Sequence, residues 1–171
     1  MPGLIKRPRF SKKSQNLKLM ISLRKTVASE LKQISDMGYQ THVGSFLNQT
    51  SLEKHKHDFN NTDVIYLSVL NTSGKLAGYV IIHKKKQFGS IQLKRILIDE
   101  NYLGIGTEVI EATEQYCARV LNATRLWLDV YVDNARAVRV YEKLGYKVFK
   151  EGIENKKQVL FYEKEFQVSL N

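Results

Sequence analysis

Two stretches of this 171-residue chain carry residue types whose spacing suits chemistry. The first runs Asp99-Glu100-Asn101-Tyr102-Leu103-Gly104-Ile105-Gly106-Thr107, out of an apolar run and straight into a helix-patterned segment. A strand feeding a Gly-x-Gly turn and a helix start is suited to phosphate. The first helical N–H groups lack partners, and the dipole favours an anion there by about 0.3–1 kcal/mol. Glycine at 104 and 106 lets phosphate oxygens approach the backbone with no Cβ in the way. The turn is not a Walker loop, since no Gly-Lys-Ser/Thr follows. Nor is it a full dinucleotide fingerprint, since Val109 holds the third glycine position. Alone, such a turn also serves packing. The second stretch is Asp133-Asn134-Ala135-Arg136-Ala137-Val138-Arg139-Val140-Tyr141-Glu142-Lys143-Leu144-Gly145-Tyr146. Here Asn134 caps a helix whose inner face is Ala137, Val138, Tyr141 and Leu144, ended by Gly145. Taken singly, Asn134 is a helix cap and Tyr141 a core aromatic.

The elements that must position these groups follow from hydrophobic period. Residues 17–24 alternate and predict a first strand. Thr26 resembles a helix cap with Glu30 in the first turn, and Val27, Leu31 and Ile34 recur at helical spacing to about Met37. Residues 41–60 are polar and irregular, with a helix expected around Phe46 to Phe59. Val64–Leu70 and Leu76–His83 are strands joined by the hairpin signal Asn71-Thr72-Ser73-Gly74. Ser90–Ile98 is another strand, reached through Lys84-Lys85-Lys86-Gln87-Phe88-Gly89. Its apolar parity changes, Ile91 and Leu93 being odd, Ile96 and Ile98 even. Two explanations stand: a bulge near Lys94–Arg95 that frees backbone groups from the ladder, or a strand buried on both faces. Ile105, Val109, Ala112, Tyr116 and Val120 predict the inner face of the next helix. A strand through Leu126, Leu128, Val130 and Val132 follows. After the Asn134 helix come strands Tyr146–Lys150 and Gln158–Phe166, with Glu151–Lys157 between them. Strands and helices in this order read as a mixed α/β sheet.

Hydrophobic residues make up 43% and charged residues 26%, a globular composition that excludes disordered and collagen-like chains. The lone Cys117 cannot form an internal disulfide, so a reducing, cytoplasmic setting is expected. No run has the length of a membrane span, and Leu17–Leu23, broken by Lys18, is too short for a signal core. Of the net +10, +8 lies before Glu30, the first acidic residue. Residues 1–15 therefore read as a basic, weakly ordered arm, and 16–171 as one domain. The arm is a solvated tail or a contact for phosphates, RNA or acidic protein surface. His55 and His57 are two apart and point away from each other on a helix, so no metal site is expected. Lys84-Lys85-Lys86 is an exposed strand end, or else meets an acidic acceptor or a nucleotide phosphate.

Gly104-Ile105-Gly106 followed by Asn134-x-x-Ala137-x-x-x-Tyr141-x-x-x-Gly145-Tyr146 resembles the GNAT N-acetyltransferase superfamily. Leu93-Lys94-Arg95-Ile96-Leu97-Ile98 and Arg125-Leu126-Trp127-Leu128-Asp129-Val130 add to the likeness, which is specific over residues 90–150. Members acetylating ribosomal-protein N-termini, polyamines or small amines are the most similar. The resemblance implies a mixed, largely antiparallel twisted sheet of about six to seven strands flanked by helices, with a splayed, bulged central strand. It implies acetyl-CoA as co-substrate, its pantetheine bonded by backbone groups of Ile96, Leu97 and Ile98, a small-molecule form of strand addition. The pyrophosphate would sit on N–H groups of Leu103, Gly104, Ile105, Gly106 and Thr107. Asn134 would touch the pantetheine arm, and Tyr141 would lie near the thioester sulfur as catalytic acid. Dimers are common in the superfamily. The sequence departs from its pattern in two places. Asn101-Tyr102-Leu103 replaces the usual polar, small or basic residues, and Gln92 stands where many members have a Glu as base, with none of His42, His55, His57 and His83 placed to substitute for it. The implied activity is transfer of an acetyl group to a primary amine on a peptide N-terminus, polyamine or small molecule. Alternatives are a weakly catalytic CoA-binding module and a nucleic-acid- or ribosome-associated protein acting through the arm.

Overall fold

The structure is a computed structural model that describes residues 21–44, 47–85 and 89–167. The basic arm, the start of the first predicted strand, Phe46 and Lys86–Phe88 of the Lys84–Gly89 connection lie outside the described residues.

Among the described residues seven strands form one sheet in the order β1-β2-β3-β4-β5-β7-β6. They are β1 Ile21–Lys25, β2 Val64–Asn71, β3 Leu76–Lys84, β4 Ser90–Ile98, β5 Arg125–Tyr131, β6 Lys147–Glu154 and β7 Lys157–Glu165. Every neighbouring pair is antiparallel except β4 and β5. Among the described residues four helices flank the sheet: α1 Leu31–Met37, α2 Leu52–Phe59, α3 Gly106–Val120 and α4 Ala135–Lys143. Alternation along the strands divides the core. On one face Tyr66, Tyr79, Ile81 and Leu97 pack against Leu31, Ile34 and Met37 of α1. On the other, Leu67, Val80, Ile82, Leu93, Leu126 and Leu128 meet Val109, Ile110 and Cys117 of α3, with Ala137, Val138 and Tyr141 of α4 beside them.

Ile81 pairs with Arg95 and Ile82 with Leu93, so Lys94 is the extra residue of a bulge. The parity slip is thus a local insertion, and Ser90–Leu93 ahead of it are also buried on both faces.

Three expectations need correction. Thr26 does not cap a helix: it continues the first strand, donating its N–H to Tyr66 and sharing its hydroxyl with Ser68 at 2.9 Å. The turn instead starts at Val27, whose N–H is bonded by the Glu30 carboxylate at 3.1 Å. The most buried line of α3 is Val109, Ile110, Thr113 and Cys117; of the expected stripe Ile105, Ala112 and Tyr116 are half-buried against the same core, and Val120 is exposed. Thr113 reaches the core because its hydroxyl donates to the Val109 carbonyl at 2.7 Å, leaving a methyl to pack. Finally, 151–157 is not a loop. Asn155 and Lys156 both take positive φ (49° and 63°), closing a two-residue hairpin whose twist suits the flanking strands, so β6 runs on to Glu154.

Candidate active site

β4 and β5 pair only at Ser90–Gln92 with Arg125–Trp127. Beyond that seam β4 stays with β3, while β5 is held along Arg125–Tyr131 by β7. The Lys94 bulge turns β4 just as the seam ends, and the two strands part. Asp99 donates its N–H to the Ala77 carbonyl, so by the alternation of an antiparallel ladder Leu97 turns its backbone toward β3. Ile96 and Ile98 turn theirs to the gap. The Ile98 carbonyl accepts Nε2–H of His42 at 2.7 Å, a residue for which the sequence offered no placement. Of the three backbone positions named from sequence, then, Ile96 presents both groups to the gap, Ile98 its N–H, and Leu97 belongs to the β3 ladder.

At the open end of the gap the glycine turn is built from side-chain caps. Asp99 accepts from the N–H of Asn101 at 2.9 Å and from Nδ2 of Asn101 at 2.8 Å. Gln40 clamps both sides, donating to Asp99 at 2.9 Å and accepting the N–H of Glu100 at 3.0 Å. Burial alone would raise the Asp99 carboxyl, but these bonds hold it below the usual carboxylate range. Asn101, a departure from the family pattern, is therefore held by Asp99, the residue that caps the short turn Glu100–Tyr102. α3 then begins at Gly106 with Ile105 at its N-cap and no side chain bonded there, so its leading N–H groups are available. Gly104 has φ +103°, and a Cβ added at Gly104 or Gly106 would meet nothing within 4 Å. This open cradle fits a phosphate group. Arg136, Arg139 and Lys143 recur along one side of α4 and line a concavity of about 180 Å³ with Thr107, at the same helix start. Sequence reasoning passed over these cations, although their spacing of three and four residues marks one helical face. They supply the positive charge that Tyr102 and Leu103 lack.

At the seam, buried Gln92 donates Nε2–H to the Asp129 carboxylate at 3.2 Å. Asp129 follows Trp127 on the same face of β5, and nothing in the alternation singled it out. Tyr141 packs edge-on against Tyr146, ring centroids 5.4 Å apart, with Tyr162 at 6.5 Å. Burial pushes its phenol well above the usual value, and the charge of Asp129 adds to the effect, so the hydroxyl holds its proton at neutral pH. Asn134 accepts the Ala137 N–H at 3.2 Å and caps α4. Cys117 lies buried in the core with its thiol pushed up to about 12, so it is no nucleophile. Among the described residues no cluster of three metal-ligating side chains occurs, and no helix is long and apolar enough to cross a membrane.

Comparison with known proteins places this geometry. Residues 31–146 match the acetyltransferase (GNAT) family. An N-alpha-acetyltransferase of Sulfurisphaera tokodaii is 28% identical over 94 residues, 48% of this chain and 56% of that protein. A spermine/spermidine N(1)-acetyltransferase of Bacillus subtilis is 31% identical over 61 residues, 34% of this chain and 40% of that one. The chain thus matches about half the length, or less, of these curated relatives. The fold is that of the spermidine N-acetyltransferase of Vibrio cholerae solved with CoA and spermine. The two superpose with a TM-score of 0.77 at 19% identity, over 89% of this chain and 99% of that one. The matched residues span the bulged strand, the glycine turn and the Asn134 helix, and on that ground the chain belongs to the GNAT acetyltransferase family.

Proposed function

We propose that this protein is an acetyl-CoA-dependent amine N-acetyltransferase that transfers the acetyl group directly. The observation that carries the reading is the parting of β4 from β5 beyond Gln92 and Trp127, opening onto the glycine turn and the uncapped start of α3. Bound there, acetyl-CoA supplies an activated thioester. The α3 start from Leu103 to Thr107, with Arg136, Arg139 and Lys143, would hold its phosphates. Ile96 and the Ile98 N–H would bond its extended arm, with Asn134 at the edge of the gap.

The chain's own task is proton management. A primary amine with pKa about 10.4 is protonated at pH 7, and freeing its lone pair costs about 4.6 kcal/mol; an α-amine near 7.7–8.0 costs only about 1 kcal/mol. Gln92 cannot accept a proton. It holds Asp129 instead, and the Asp129 carboxylate takes the role of base that a Glu at position 92 would have had. Tyr141, kept protonated, gives its proton to the departing sulfur. The acceptor is an amine, and the cost of deprotonation favours an α-amine over a side-chain or polyamine nitrogen. The names of the relatives, an N-alpha-acetyltransferase and polyamine acetyltransferases, span the same choice.

The test is CoA release from acetyl-CoA with a panel of peptides, polyamines and small amines. Tyr141→Phe and Asp129→Asn should each lower kcat by about 10²–10⁴-fold with little change in acetyl-CoA binding. Release that stays at background with every amine, although CoA binds, would leave a binding module without catalysis.

A further inference from the structure

We infer that the acceptor, on the reading above, is an amine that also carries an anionic group, and that the binding surface for that anion lies on the helix-free face of β5, β7 and β6. Trp127, Phe149 and Phe161 form a continuous aromatic platform there. The centroids lie 6.3 Å apart for Trp127–Phe149 and for Trp127–Phe161, and 6.2 Å for Phe149–Phe161. The platform abuts the reaction end of the gap, since Trp127 is the cross-strand partner of Gln92 and Phe161 that of Asp129.

A bare aromatic platform would suit an ammonium, but here the ring faces are already taken by the protein's own cations. Nζ of Lys85 stands 5.5 Å from the Trp127 centroid, Cζ of Arg125 4.7 Å from Phe149, and Nζ of Lys150 5.1 Å from Phe161. Glu163 neutralises Arg125 at 2.5 Å. Among the described residues no ion pair involves Lys85 or Lys150. These six side chains, with Ser90, line a concavity of about 260 Å³, below the roughly 300–1,000 Å³ of sites that enclose a drug-sized ligand. It has room for a side chain or two, not for a stacked nucleic-acid strand. The local field is positive, since Glu163 offsets only Arg125, and Asp129 beside the concavity faces the amine. A polyamine would bring further positive charges against Lys85 and Lys150, and like charges placed together are strongly penalised. A carboxylate a few bonds from the amine, on an acidic peptide N-terminus or on a small amino acid, is attracted instead.

Trp127 is the chain's single tryptophan, which gives a binding signal independent of turnover. The full-length protein is titrated, with and without CoA, with a short peptide bearing free N-terminal glutamates, with its lysine counterpart, with free glutamate, with spermidine and with a short single-stranded RNA. Trp127 emission is followed in parallel with CoA release. The acidic peptide should perturb Trp127 and show kcat/KM at least about tenfold above the lysine peptide and spermidine. Glutamate matching the peptide would identify the small-molecule source of the same anion. Lys85→Glu with Lys150→Glu should reverse the preference, lowering kcat/KM for the acidic acceptor and raising it for the lysine peptide; a variant that simply misfolded would lose both. Spermidine as the best acceptor, an unresponsive Trp127 with acidic ligands, or a response to RNA alone would overturn the inference while leaving acetyl transfer intact. CoA release at background with all acceptors, despite a Trp127 response to the acidic peptide, would instead overturn the enzymatic reading.

Discussion

The two halves of the sheet are built on opposite terms. From β2 to β4 the strands carry consecutive buried residues on both faces, and seven in a row of β3, Leu76–Ile82, are buried. From β5 to β6 only the α3/α4 face is covered, and β6 is almost wholly exposed, with Ile153 at 82%. The covered half even buries polar groups: His55 is bonded through Nδ1 to the Tyr66 hydroxyl at 2.9 Å and packs edge-on against Tyr79. A half closed on both sides sets the position of the gap's near wall. A half left open on one side leaves strand residues, Trp127 and Asp129 among them, free to meet a ligand.

That contrast can be broken or sharpened experimentally. The largest effect belongs to the covered half: Ile82→Ala, at a fully buried position, should cost about 2–5 kcal/mol in urea unfolding. A loss under 1 kcal/mol there would mean that the two halves are equally loose. Next comes pH. Burial first, then the nearby Arg95 charge, pushes His55 down to about 4, so the unfolded chain takes up its proton more readily than the folded one. The His55 contribution is therefore complete above about pH 6.5 and fades as pH falls toward 4, leaving the fold about 2 kcal/mol less stable at pH 5 than at pH 7. His55→Gln should flatten that slope relative to the parent chain; an unchanged slope would assign it to carboxylates elsewhere. In the other half, effects should pass from stability to ligand. Arg139→Gln, at the surface of α4, should leave unfolding unchanged and raise the KM for acetyl-CoA about fivefold, an effect that weakens with added salt. The smallest change is Ile153→Ala on β6, expected within about 0.5 kcal/mol in thermal or urea melts.

Much of this was legible in the sequence where one residue sets one local outcome. The parity slip at Leu93 and Ile96 located the bulge, Asn134 the start of α4, and the Gly104–Gly106 turn the uncapped start of α3. What stayed hidden depended on partners far along the chain. Asp129 looks like any polar residue of an alternating strand until Gln92, 37 positions earlier, is seen to bond it. His42 had no motif; it matters because Gln40, its neighbour, ties the same loop to Asp99 and Glu100. Arg136 and Arg139 carried a signal in their helical spacing, but only the placement of α4 beside Thr107 shows what they face. Thr26 and Thr113 misled because a hydroxyl that finds a nearby oxygen can sit in a core, which hydrophobic period does not register.

The seam between the halves is short: Ser90–Gln92 against Arg125–Trp127, braced by Arg125 on Ser90 at 3.1 Å and by the Gly89 carbonyl, which takes the N–H groups of Thr124 and Arg125. Above it nothing in the sheet ladder joins β4 to β5. An extended molecule laid in that opening would complete the missing rungs and act as a keystone, so its arrival should slow amide exchange across both walls together, along Ile96 and Ile98 on one side and Asp129 and Tyr131, whose backbone groups turn away from β7, on the other.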